Sequence, residues 1–205
     1  MLKGQLPQEF IWKALLSAKN RAIISAYLQL LEEVPGGIDL NALVHFCLRA
    51  KVCSVSLVRI IAKDLPHYLE RLFPLILQEL PVLHEVIQKI DLNAGVSFNA
   101  KRMLIDSISI FIQKDYKSIA LNSLAKFLAF DSFAALKYEQ FVLDSFYQQE
   151  TEDLAYTCII LSMNQSNYLN VRQLIQQRIA QSSEEERNTL QQHLHQTYSF
   201  SERSC

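Results

Sequence analysis

The sequence is poor in the residues that make tight turns and covalent cross-links. Of its 205 residues, only 4 are Gly, 5 are Pro and 4 are Cys. So few turn residues disfavour an all-β protein built from many short strands. The cysteines form no Cys-X-X-Cys pair, whereas disulfide scaffolds and structural zinc sites need cysteines at regular or close spacing. The sequence therefore predicts neither a disulfide scaffold nor a metal site, and it indicates no cofactor.

An excess of charge of one sign is also lacking. The chain has 20 Lys and Arg against 21 Asp and Glu, a formal net charge of −1. A neutral balance gives no long-range attraction to nucleic acid or anionic lipid. No run of 18 apolar residues occurs without charge, so we expect no membrane span and a cytoplasmic location. Because 50% of the residues are hydrophobic, the chain can bury a core and is not predicted to be disordered.

Apolar residues recur along the chain at helical spacing. The clearest stripe consists of Ile23, Ile24, Tyr27, Leu28 and Leu31. It stops at the turn 34–37, and Asp39 and Ser54 are typical N-caps for the next two helices. Asp115 is a similar candidate later in the chain. The sequence predicts an all-α fold, an irregular multi-helix bundle or short α-solenoid of about 10–12 short helices.

We expect one helical domain over 1–196 and a frayed C-terminal tail over 197–205. Within the domain, the segments 38–64 and 90–115 are similar: their first nine residues share seven identities. A weak internal repeat is one interpretation. A common N-capping pattern in two unrelated helices is the other, because Gly95 interrupts the second copy.

A helix-turn-helix pattern is the most specific local match to a known type of site. The first helix would be 40–50, the turn 51–53 and the recognition helix 54–63. Lys51 stands where the turn usually has glycine. The residues that would face nucleic acid are Ser54, Ser56, Arg59 and Lys63. This face is thin for reading base edges, and any helical hairpin gives the same apolar spacing, so nucleic acid is the less favoured partner. A basic surface shared with Arg49, Lys51, Lys101 and Arg102 would favour it.

Aromatic residues crowd the segment from 127 to 156. A helix over 132–148 would carry them on more than one face, so it is either central in the bundle or part of an interface. As anchors for a partner we select Phe133, Tyr138, Phe141, Phe146 and Tyr147.

The sequence contains no assembled catalytic motif. Most neighbours of Cys47, Cys53 and Cys158 are apolar, which favours buried thiols over nucleophiles. The leading prediction is a non-catalytic protein-interaction module that binds a partner segment in a groove between helices. It would be an adaptor, a chaperone-like protein or an accessory subunit of a larger complex, such as a secretion machine. The alternatives are a helix-turn-helix-like nucleic-acid-binding regulator and an enzyme whose site is assembled from distant residues.

Overall fold

The computed structural model describes residues 8–33, 38–93, 95–128, 137–148, 177, 179–185 and 187–188. Regular structure in these ranges is entirely helical, which confirms the predicted all-α class and the multi-helix bundle. The helices are α1 (Gln8–Ser17), α2 (Arg21–Glu33), α3 (Leu40–Ala50), α4 (Val55–Ile60), α5 (Leu65–Ile76), α6 (Leu80–Lys89), α7 (Phe98–Gln113), α8 (Lys117–Leu128) and α9 (Glu139–Gln148).

The chain divides into two compact units, Met1–Leu104 and Ile105–Cys205, and the division falls within α7. The single domain over 1–196 stays a prediction, and the predicted tail 197–205 lies outside the described residues. None of the helices in the described ranges is long and apolar enough to cross a membrane.

In the first unit, α2 packs against α1 and α4, α4 against α6, and α5 against both α6 and α3. Helix α2 packs on its neighbours through an inner stripe of Ile24, Leu28 and Leu31, which are spaced by four and three residues and almost wholly buried. The core continues through α3 to α6 with fully buried aliphatic side chains at Leu43, Leu57, Leu65, Leu69, Leu72, Leu83 and Ile87.

Two predicted N-caps are present. Asp39 Oδ1 accepts a hydrogen bond from the Ala42 amide at 3.1 Å, at the start of α3. Ser54 Oγ accepts one from the Leu57 amide at 3.2 Å, at the start of α4. Each side chain pairs one of the backbone donors that a helix leaves free in its first turn. These caps fix where α3 and α4 begin.

Helices α3 and α7 end in the same way, with a residue in the left-handed conformation. Lys51 has φ 52° and follows α3, and Asp115 has φ 61° and follows α7. At α3 the Val52 amide donates to Cys47 O at 3.0 Å and the Lys51 amide to Leu48 O at 3.3 Å, a Schellman motif. Asp115 was expected to cap α8, and that expectation is wrong: α7 reaches almost to the start of α8, so Asp115 terminates α7.

The two similar segments differ in local structure. Asp39 caps α3, whereas Asp91 lies in the connection after α6 and accepts a hydrogen bond from the Asn93 amide at 2.9 Å. Gly95 has φ 71°, which is left-handed, and the next helix begins only at Phe98. The sequence similarity of 38–64 and 90–115 therefore does not extend to equivalent helix starts.

The described core of the second unit is formed by α8, α9 and the second half of α7. Its buried apolar side chains include Ile108, Phe111, Leu121, Leu124, Phe127 and Val142. Tyr138, just before α9, donates its hydroxyl hydrogen to Ile105 O at 2.7 Å. This hydrogen bond ties the start of α9 to α7.

Candidate functional site

The predicted helix-turn-helix region contains two helices, α3 and α4, joined by a short connection, and two of its four candidate residues have structural partners. Ser54 caps α4, and Ser56 is half-buried. Lys63 is exposed after α4. The left-handed Lys51 explains why such turns usually carry glycine, which adopts this conformation at little cost. Nucleic-acid binding by this region stays a prediction.

Arg59 lies at the centre of an ion-pair network that joins three helices. Its Nε donates to Glu85 Oε1 on α6 at 2.8 Å, and its Nη1 lies 3.4 Å from Glu32 Oε1 on α2. The hydrogen bond from Arg59 lowers the pKa of Glu85. A phosphate would have to compete with both carboxylates for this guanidinium, so Arg59 is better explained as a link between α2, α4 and α6.

The predicted aromatic anchors are only partly within the described residues. Phe133 lies outside them. Phe146 and Tyr147 belong to α9, and only their backbone is described. Phe141 is partly exposed, whereas Tyr138 is 7% exposed and has a hydrogen-bonded hydroxyl. Tyr138 therefore contributes to the core of its own unit, and the structure leaves the partner role of the set as a prediction.

The cysteines Cys47 and Cys53 are buried free thiols. Burial raises the pKa of each to about 12. Because the thiolate is the nucleophilic form, neither group is activated near neutral pH. Cys158 lies outside the described residues. In the part of the chain that is described, no cluster of three or more His, Cys, Asp or Glu side chains could hold a metal ion.

The first unit contains a groove that the sequence did not predict. It has a volume of about 430 Å³ and lies between the α1–α2 connection and the second half of α3. Ile24 of α2 and Phe46 of α3 are its buried lining residues, and we call them the floor. The other lining residues are Leu16, Ala18, Lys19, Arg21, Arg49 and Ala50. Leu16 is a large apolar residue with 47% of its surface exposed.

Three exposed cations, Lys19, Arg21 and Arg49, surround this floor. The groove lining includes no carboxylate. Within the described ranges none of the three cations forms a salt bridge, in contrast to Arg59. We call these three residues the cationic rim. The groove thus combines an apolar base with unpaired positive charge, an arrangement suited to a ligand that is both apolar and anionic.

Local structure explains how the rim is built. Asn20 Oδ1 accepts a hydrogen bond from the Ala22 amide at 2.8 Å, which starts α2 immediately after α1 ends. The short connection therefore places Lys19 and Arg21 at the α1–α2 corner. Arg49 occupies the last turn of α3, where the helix dipole favours a cation.

A local signal for the rim was present in the sequence. The segment 13–21 contains three cations and no acidic residue. For Arg49, the sequence predicts only a contribution to a nucleic-acid surface with Lys51, Lys101 and Arg102. What the sequence does not contain is the proximity of the α1–α2 corner to the end of α3, because this contact depends on packing.

No protein-family model, no curated protein and no solved structure matches this chain.

Proposed function

We propose that this chain is a non-catalytic protein-interaction module that binds a segment of a partner protein in the groove between the α1–α2 connection and α3. The observation that carries the proposal is the groove itself, with a floor of Ile24 and Phe46, an exposed Leu16 and a rim of cations that form no salt bridge with any described residue. Its volume of about 430 Å³ is within the range of small-molecule sites, so the groove has room for side chains of a partner segment. In cells, such a module would act as an adaptor, a chaperone-like protein or an accessory subunit of a larger complex.

The apolar floor favours a protein partner over the alternatives. A partner side chain that enters the groove would remove Leu16 from water and contact Ile24 and Phe46. Burial of apolar surface contributes about 25 cal/mol per Å². A nucleic-acid backbone would use the rim but leave the floor without a matching surface. The high pKa of the two described cysteines also disfavours a thiol enzyme.

Site-specific photo-crosslinking of the whole chain in its native cells tests this function. A photoreactive phenylalanine analogue replaces Leu16 at the groove, and the matched control replaces Leu77, an exposed leucine that does not line it. A third variant at Phe141 tests the predicted aromatic interface. We expect Leu16 to give one discrete protein adduct that the Leu77 variant does not give.

The adduct is then mapped to a segment of the captured protein, and that segment is synthesised. Equimolar binding of the synthetic segment to the purified chain, measured by calorimetry, would support the proposed function. Crosslinking from Phe141 alone would indicate that the interface lies on α9 and not at the groove. A nucleic-acid adduct at Leu16, or no adduct at any position, would contradict the proposal.

A further inference from the structure

We infer that the groove receives an acidic amphipathic helix, with apolar side chains on the floor and carboxylates opposite Lys19, Arg21 and Arg49. This inference rests on the proposed function and specifies the chemistry of the partner segment. It follows from three observations: the charge of the rim, the apolar floor and the helical walls of the groove.

The charge of the rim requires an anionic partner. Three cations converge on one groove whose lining has no acidic residue, and none is neutralised by a salt bridge in the described part of the chain. Complementary charge at the edge of an interface raises the association rate and rejects partners of the same sign. The rim would therefore reject a basic partner and favour a segment that carries carboxylates.

Arg21 lies where a cation without a counter-charge is unfavourable. It is the first residue of α2, a helix without an acidic residue in its first turn. The positive end of the helix dipole disfavours a cation there. An arginine that has no salt-bridge partner among the described residues is thus a small cost to the fold of the free protein. A carboxylate from a bound segment would offset that cost by interacting with both the guanidinium and the helix N-terminus.

The walls favour a helical occupant. Extended peptides gain much of their affinity from main-chain hydrogen bonds to a free sheet edge. Six of the eight lining residues belong to α1, α2 and α3, whose backbone groups are largely paired within the helices. An amphipathic helix needs no such edge, because it inserts side chains spaced by three and four residues between neighbouring helices.

Selection from a peptide library tests the inference without a known partner. The probe is a phage-displayed library of amphipathic helices about four turns long, with randomised anchor and flanking positions. The bait is the full chain. Counter-selection uses the triple variant Lys19→Glu, Arg21→Glu, Arg49→Glu. We expect the enriched peptides to carry apolar residues on one helical face and an excess of Asp and Glu beside it. Neutral or basic winners, or no enrichment at all, would overturn the inference.

A selected peptide is then labelled with fluorescein and its affinity is measured by anisotropy. Arg49→Glu should weaken binding by about tenfold, because a favourable charge contact becomes a repulsive one at a partly exposed site. Lys63→Glu is the matched control, since Lys63 is an exposed cation that does not line the groove, and it should leave the affinity unchanged. An equal loss in both variants would show diffuse charge attraction and would refute the groove as the site.

The outcomes separate this inference from the proposed function. Enrichment of basic peptides together with a protein adduct at Leu16 would leave the interaction module standing and refute the acidic helix. Tight, competitive binding of a single-stranded oligonucleotide to the rim, with a nucleic-acid adduct at Leu16, would refute both. Circular dichroism of each variant tests whether the helices are intact. Arg21→Glu in particular places an acidic residue where the dipole of α2 favours one.

Discussion

The hydroxyl group of Tyr138 gives a direct measure of whether this residue belongs to the core or to an interface. The side chain is 7% exposed, and its hydroxyl donates to Ile105 O at 2.7 Å and lies 3.2 Å from Asp106 O. Tyr138→Phe keeps the ring and removes the donor. We expect the free energy of unfolding to fall by about 1 kcal/mol, the net worth of one neutral hydrogen bond.

The magnitude follows from what remains after the substitution. The carbonyl of Ile105 lies within α7, so it keeps its helical amide partner and is not left unpaired. The loss is therefore confined to the hydroxyl itself. Tyr138→Ala removes the whole ring from the core, and we expect it to cost about 3 kcal/mol or more. The two variants should thus differ by a clear margin.

The pH dependence of the stability of wild type and Tyr138→Phe gives an independent check. Burial raises the pKa of Tyr138 above its ordinary value of 10.0. A raised pKa in the folded state means that the contribution to stability is complete below pH 10.0 and is lost as the pH rises above it. The phenylalanine variant has no such group. The stability difference between wild type and Tyr138→Phe should therefore narrow above pH 10.0.

Urea unfolding followed by circular dichroism measures both effects. The control is Tyr116→Phe, because Tyr116 is a 49% exposed tyrosine of the same unit and its substitution should change stability little. Equal stability of Tyr138→Phe and wild type would refute the reasoning. So would a loss of partner binding in Tyr138→Phe without destabilisation, since that result would place the hydroxyl in an interface.

Three further predictions concern the first unit. Burial raises the pKa of Cys47 and Cys53 from 9.0 to about 12. At about pH 8 both thiols should therefore react with iodoacetamide roughly a thousandfold more slowly in the folded than in the unfolded chain, as measured by peptide mass spectrometry. Equal rates would contradict their burial. Lys51→Gly should raise the free energy of unfolding by about 0.5 kcal/mol, because the strain that glycine removes from the left-handed backbone exceeds the chain entropy that it adds to the unfolded state. Lys51→Ala keeps the strain and should give no such gain in thermal unfolding. Arg59→Gln should lower the free energy of unfolding at neutral pH. Because the pKa of Glu85 is lowered, the stability that this ion pair contributes is complete above pH 4.5 and is lost as the pH falls below it, so wild type and variant should converge in acid. A stability difference that persists in acid would show that Arg59 acts through packing instead.

The sequence predicted the parts of the fold that depend on local interactions. Asp39 and Ser54 cap helices with atoms only three residues away, so a single segment contains the whole signal. Asp115 was misassigned because two helices follow each other closely there. A residue between α7 and α8 can cap the second helix or terminate the first, and only the backbone conformation distinguishes the two.

The candidate site was not predicted because it is not local. Leu16 and Phe46 are thirty residues apart, and the pattern around each shows only an apolar residue of a helix. The aromatic stretch presented the opposite difficulty. Aromatic residues are typical both of cores and of interfaces, and Tyr138 is buried because α7 offers it a carbonyl partner at the right place. Neither the place of the groove nor the burial of Tyr138 follows from composition.

Net charge was a poor guide to the groove for a physical reason. The chain as a whole carries −1, so it has no long-range attraction for anions. At physiological ionic strength, however, charges are screened beyond about 8 Å. A ligand at the groove therefore interacts with Lys19, Arg21 and Arg49 and is shielded from most acidic residues elsewhere. A protein that is neutral overall can thus attract an acidic segment at one place without binding polyanions over its whole surface.

Binding of the selected peptide should accordingly weaken between about 0.05 M and about 0.15 M salt in wild type and much less in Arg49→Glu. Equal salt dependence in the two proteins would mean that the attraction does not come from the rim.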